Sequence, residues 1–200
     1  MTTLLASLNS LTTASKKPAQ GSIFHFNNVA FLRTRLLLDP TTPIDDLLGK
    51  ATQDALNSNY RTAKAVYFDA NFSPLIQALG DAGGRRDVKD KLARFFDALD
   101  EAGDRHRVSK VLVNDEEGKE VLEEEVVRLV VPALKRFYEK NVQTSKSTPS
   151  LRINVPSADS VIQARQNVSY SSSLGSPTEQ ATDMRSTPEE VERQIRSFYQ

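Results

Sequence analysis

Ser22–Arg33 reads SIFHFNNVAFLR, an apolar run with two adjacent amides at its centre. Asparagine is a poor helix former, because its side chain competes for backbone hydrogen bonds. Asn27 and Asn28 therefore either break the segment or serve a purpose inside it. On a helical wheel Ile23, Ala30, Phe31, Leu37 and Leu38 share one side, and Phe24, Phe26, Val29, Leu32 and Leu36 spread apolar character over most of the rest. A helix that is apolar nearly all round is a buried one. The apolar phase resumes after the amides, which favours one continuous helix to about Leu38. Asn27 falls inside the main stripe, and Asn28 at its edge towards Arg35. A buried amide without a partner costs roughly 1–3 kcal/mol. Asn27 is thus expected to bond a neighbouring helix and set register. The opposing reading has both amides capping a chain break at Asn28.

Working outward, helical spacing continues on both sides. Leu4, Leu5, Leu8 and Leu11 repeat at three and four and predict a short first helix, ended by Lys16-Lys17-Pro18. Thr42-Pro43-Ile44-Asp45 combines a hydroxyl cap, a first-turn proline and an acid, and predicts a long helix. Its expected inner face is Leu47, Leu48, Ala51, Ala55, Ala63, Val66, Tyr67 and Ala70, and Ser73-Pro74 ends or kinks it. A further helix from Arg86 carries Val88, Leu92, Phe95, Phe96, Leu99 and Ala102 and runs on past Gly103 through His106. Asn114-Asp115-Glu116-Glu117 starts the next, whose stripe runs from Val121 to Tyr138 with Pro132 inside it. Thr187-Pro188-Glu189-Glu190 is a capping box that opens a last helix with Val191, Ile195, Phe198 and Tyr199 on one side.

These elements predict an all-α fold, an antiparallel multi-helix bundle. Three regions are expected: a bundle over 1–143, a flexible Ser/Thr-rich segment over 144–186, and a C-terminal helix over 187–200 docking back on the bundle. A helix that short is unstable alone, so docking is what would hold it.

Composition narrows the chemistry. The 200 residues include 26 Lys and Arg against 26 Asp and Glu, a net charge of zero, which argues against wholesale nucleic-acid binding. No cysteine is present, so disulfides and thiolate chemistry are excluded. With only His25 and His106, no multi-imidazole metal site is available, and neither metal nor cofactor is expected. No catalytic constellation is found. Glu123, Glu124 and Glu125 in succession point different ways and read as a solvated face. His106 stands between two arginines, a poor place for a base, and His25 reads as a core or boundary residue. Lys135, Arg136 and Lys140 gather towards the end of one helix, where the dipole favours cations. Arg185, Arg193 and Arg196 lie at or on the last helix and would join them in one basic patch if that helix docks alongside.

Several stretches, in order, resemble one family. Ile23, Phe24, Asn27, Asn28 and Phe31 are similar to a signature of the C-terminal region of the seventy-kilodalton subunit of the exocyst, a vesicle-tethering complex. LLASLNSLTTASKK resembles the helix end before that signature. Val88–Asn141, with its Val-Val-Pro-Ala pattern around Pro132, is the closest stretch, and STPEEVERQIRSFY resembles the family's last helix. The resemblance implies the end segment of an elongated helical rod, fungal-type and truncated. It implies no catalysis but contact with other exocyst subunits, a Rho-family small GTPase and an anionic phosphoinositide surface. The expected setting is cytoplasmic and peripheral, at plasma-membrane sites of polarised secretion such as a bud neck or growing tip. Phosphoinositide contact would fall to Arg185, with Lys135, Arg136 and Lys140 beside it. Thr182 stands where the family has a second basic residue, and Asp183 opposes it, so weak binding is expected. The alternative is a helical protein-interaction module derived from that family without membrane work.

Overall fold

The computed structural model describes residues 2–13, 15, 17–39, 47–80, 88–146 and 187–200. Among these the structure is all-helical. Helix α1 spans Thr2–Thr13 and α2 Pro18–Arg33, continued by a π-helical turn over Thr34–Leu38. Then come α3 (Lys50–Asn71), α4 (Ser73–Leu79), α5 (Val88–Val108), α6 (Glu116–Lys146) and α7 (Pro188–Ser197).

Proline and short polar side chains set several of the starts. Pro18, Pro74 and Pro188 sit in the first turns of α2, α4 and α7, where the missing N–H is no loss. The Asp115 carboxylate accepts the Gly118 N–H at 2.8 Å and caps α6. Thr187 and Glu190 form the reciprocal box at α7, with bonds of 3.3 Å and 2.8 Å. Ser73-Pro74 does break the helix, at Phe72, whereas α6 continues through Pro132 to Lys146. The Thr42–Asp45 start, the Arg86 start and most of the Ser/Thr-rich segment lie outside the described residues.

Helix α2 packs against α1 and α3, α4 against α5 and α6, and α7 against α6. Ser22 meets Asn71 at one end of the α2–α3 contact and Arg33 meets Asn57 at the other, so the two helices run antiparallel. The shared core is built from Ile23, Phe26, Leu56, Tyr67, Phe72, Phe95, Leu99, Leu122, Val126, Val130 and Leu134, closed by Val191 and Ile195 of α7.

Facing differs from expectation at several positions. Phe31 falls on the predicted inner stripe of α2 and is exposed; the buried set is Gly21, Ser22, Ile23, His25, Phe26, Val29 and Ala30. A helix apolar on every side offers two faces of similar character, and only packing chooses between them. On α3 the inner face is Leu56, Ala63, Tyr67 and Asn71, while Ala51 and Val66 are exposed, as is Leu47 ahead of the helix. On α1, Leu5 and Leu8 are buried but Leu4 and Leu11 are not.

Candidate functional site

Three groups of polar side chains hold the architecture that any surface must sit on. The first is the amide of Asn27. Its Nδ2 donates to the Lys110 carbonyl at 2.8 Å, and its Oδ1 accepts the Leu112 N–H at 3.0 Å. The partner is the α5–α6 connection rather than a helix, and the side chain is half-buried rather than enclosed. Leu112 sits there at φ 51°, a left-handed conformation unfavourable for a branched side chain. Asn28 only bonds back to the Phe24 carbonyl, 2.7 Å away in its own helix. Of the structural polar pair, Asn27 bridges elements and Asn28 does not.

The second group seats α7. His106 Nδ1 lies 2.6 Å from the Ala102 carbonyl, which can only accept, so Nδ1 carries the proton. Nε2 is then the acceptor, and Tyr67 donates its hydroxyl to it at 2.7 Å. The Tyr67 oxygen in turn accepts the Tyr199 hydroxyl at 2.7 Å. A single directed chain thus joins the residue after α7 to α3 and α5. Burial above all, and Arg105 to a lesser degree, pushes His106 down to about 4, with the bond to the Ala102 carbonyl opposing. Burial likewise raises both tyrosines. Beside this chain the Phe198 ring stacks on His106 at 5.4 Å and sits over Gly103. Asn71, also fully buried, donates to Ser22 Oγ at 3.0 Å and accepts from Arg105 Nε at 3.1 Å, tying α2, α3 and α5 together.

Ion pairs on the rim make the third group. Arg196 donates to Glu123 at 2.6 Å, Glu124 at 3.3 Å and Glu192 at 2.8 Å. Glu125 pairs with Lys64 of α3 at 2.6 Å. The three glutamates read as a solvated face are therefore a docking edge. Arg196 at this edge and Glu189 beside Lys135, 3.6 Å away, set α7 antiparallel to α6. Hydrogen bonds from Arg128 and then Arg196 hold the Glu124 carboxyl below its ordinary value.

Arg196 does not join Lys135, Arg136 and Lys140 in the expected basic patch. Arg196 is drawn into carboxylates instead of facing outward with Lys135. Arg136 and Lys140 are one helical turn apart and exposed, with Lys135 turned towards α7. Arg193 is exposed on α7, and Arg185 lies outside the described residues. His25 is buried, its Nδ1 without a hydrogen-bond partner among the described residues, and burial lowers its pKa. Among the described residues no group of His, Asp and Glu is arranged to hold a metal, and no helix is long and apolar enough to cross a membrane.

A bundle whose polar contacts seat helices on one another defines a scaffold for surfaces, as the sequence resemblance implies. Residues 1–162 match the family of C-terminal domains of Exo70, a component of the exocyst complex, and the chain belongs to that family. The family is one of structural subunits of a vesicle-tethering complex. The match ends before α7, so the likeness of the last helix stands on its residues alone. No curated protein matches the chain.

Proposed function

We propose that this domain acts as the C-terminal part of an exocyst-type tethering subunit that contacts partner subunits and, weakly, a phosphoinositide-bearing plasma membrane. The observation that carries the lipid half is the exposed row of Lys135, Arg136 and Lys140 on the second half of α6, at the end where α7 begins. Arg185 stands three positions before Pro188 in the sequence and would add a fourth cation to the row. Each cation near an anionic leaflet contributes about 1 kcal/mol, so three or four give peripheral, reversible attachment. A Rho-family GTPase and the other exocyst subunits are the protein partners that family membership suggests. The setting would be the cytoplasmic face of membrane sites of polarised secretion.

Sedimentation with phosphatidylcholine vesicles, with and without phosphatidylinositol bisphosphate, tests the lipid half. Binding should require the phosphoinositide, fall steeply with salt and be lost in K135E/R136E/K140E. Binding that ignores the phosphoinositide, or survives that triple change, overturns it.

A second reading, a protein-interaction module without membrane work, is favoured by Arg196. That cation is engaged by three carboxylates, and Glu139 and Glu189 lie among the remaining ones. Under this reading neither the wild type nor the triple variant sediments with the phosphoinositide vesicles, and partner capture is intact in both.

A further inference from the structure

The first 38 residues hold no Asp or Glu; all 26 carboxylate side chains lie from Asp39 onward. Their only formal charges are Lys16, Lys17, Arg33 and Arg35, and α1 has none at all. This charge-poor part of the molecule is also where large apolar side chains are left in water. Leu4 is 46% exposed, Leu11 62%, Phe24 49%, Phe31 52% and Leu38 53%. Leu4 and Leu11 are seven residues apart, and so are Phe24, Phe31 and Leu38. Depletion of charge with enrichment of aromatics marks the centre of a protein interface rather than a solvated surface.

Two clefts shape the patch. Leu11 and Phe24 line one cleft of about 380 Å³ between α1 and α2, with Lys17 on its border. Phe31 and Leu38 line another of about 370 Å³, against Leu112 of the α5–α6 connection. Phe24 and Phe31 stand between the two clefts on the same side of α2, about 10.5 Å apart along its axis. Two aromatic knobs at a heptad interval, each beside a hole, are what the seam of an incoming helix requires. The Arg35 guanidinium lies 5.7 Å from the Phe31 ring centre and points outward, paired at 3.0 Å with a largely covered Asp39. Asp115, the other carboxylate on that cleft, is engaged in capping α6.

We propose that the Leu4–Leu11–Phe24–Phe31–Leu38 face is the docking surface for an amphipathic helix whose apolar seam is flanked by carboxylates. Charge complementarity selects this occupant. The outward-facing charges bordering the seam are Lys17 and Arg35, both cations. A second copy of the same face would set cation against cation. A membrane-surface helix carries Lys and Arg along its polar face, and α1 has neither. The inference deepens the partner-binding half of the proposed function and is independent of the lipid half.

The test uses two labelled peptides of about 28 residues with Leu at a and d, one with Glu and one with Lys at every e and g position; like charges keep each from pairing with itself. Fluorescence polarisation should show the Glu-flanked peptide binding the full chain at least about tenfold more tightly than the Lys-flanked one, with the gap closing as salt rises. F24E/F31E, and separately the milder L11Q/F31S, should abolish binding while circular dichroism and thermal midpoint stay near wild type. K135E/R136E/K140E should bind the peptide normally, which separates this surface from the lipid row. Absence of binding by the Glu-flanked peptide, equal affinity for both peptides, or binding unchanged in either seam variant overturns the proposal. So does capture by phosphatidylserine vesicles, or a concentration-dependent dimer, that F24E/F31E removes, since each assigns the face to a different occupant.

Discussion

The Tyr199 hydroxyl lies 2.7 Å from that of Tyr67, and this one bond ties the chain's penultimate residue into the middle of the bundle. It works because the Tyr67 hydroxyl already donates its hydrogen to His106 Nε2, leaving its oxygen free to accept. Around it Val191, Ile195, Phe198 and Tyr199 are buried, each contributing about 1.5–3 kcal/mol of apolar burial. That is what lets a ten-residue helix stay formed.

The order of donors predicts unequal effects for two similar substitutions. Tyr199→Phe removes the terminal donor and leaves the Tyr67–His106 bond intact, so it should destabilise by about 1 kcal/mol. Tyr67→Phe strands both the buried His106 Nε2 and the Tyr199 hydroxyl, and should cost roughly 2–3 kcal/mol. Because the two changes act on one chain, the double variant should be less destabilised than their sum. Urea denaturation of the four proteins measures this; additivity would mean the hydroxyls act separately.

Acid should loosen the same site. An unfolded histidine protonates near 6.5, whereas burial lowers His106 to about 4 in the folded chain. The folded state therefore favours the neutral ring. Its contribution is complete above pH 6.5 and is lost as pH falls towards 4, amounting to about 3 kcal/mol. His25 is shifted the same way by burial and adds to the slope. Glu124 and Glu189, both held low, lose their contribution only below the ordinary carboxylate range. His106→Gln should thus flatten the stability profile between pH 6.5 and 4.5 and leave the steeper acid limb below it. An unchanged slope in that upper window would show that His106 does not titrate with unfolding.

Asn27 and Asn28 are chemically identical neighbours, yet their substitutions should differ. Asn27→Ala removes both bonds that hold the Lys110–Leu112 connection and leaves Leu112 at φ 51° without its tether, a loss of about 2 kcal/mol. Asn28→Ala removes a bond to its own helix and restores a better helix former, so it should be near neutral. Thermal unfolding separates the two, and hydrogen exchange at the Leu112 amide should speed up only in the Asn27 variant.

What could be read in advance follows the range of each interaction. The capping box at Thr187 is local, so four adjacent residues announced it. Asn27 was visible as an amide inside an apolar stripe, but its partners lie 83 and 85 residues further on. His106 looked exposed to its flanking arginines, because Tyr67 and the α7 end that enclose it are distant in sequence. Glu123–Glu125 read as solvated for the same reason, the cations that reach them from other helices being Arg196 and Lys64. Periodicity found α2 and could not orient it, and Phe31, expected in the core, lies on the surface now assigned to a partner.

At Gly103 the ring of Phe198, the residue after α7, packs against α5. Replacing a mid-helix glycine by alanine ordinarily stabilises by about 1 kcal/mol. Here an added Cβ would stand 2.9 Å from Phe198 Cε1, too near for the ring to stay where it is. Phe198 cannot simply swing away, since it is buried, stacked on His106 and followed directly by Tyr199 of the hydroxyl chain. Gly103→Ala should therefore destabilise, by about 1–3 kcal/mol as in other overpacked cores. The loss should concentrate on α7, read as faster proteolysis within 187–200 with little change in the exchange of α5 and α6 amides. Pairing it with Phe198→Leu, which frees the space the new methyl needs, should recover part of the loss. A Gly103→Ala protein more stable than wild type would mean that Phe198 does not seat against α5 in solution.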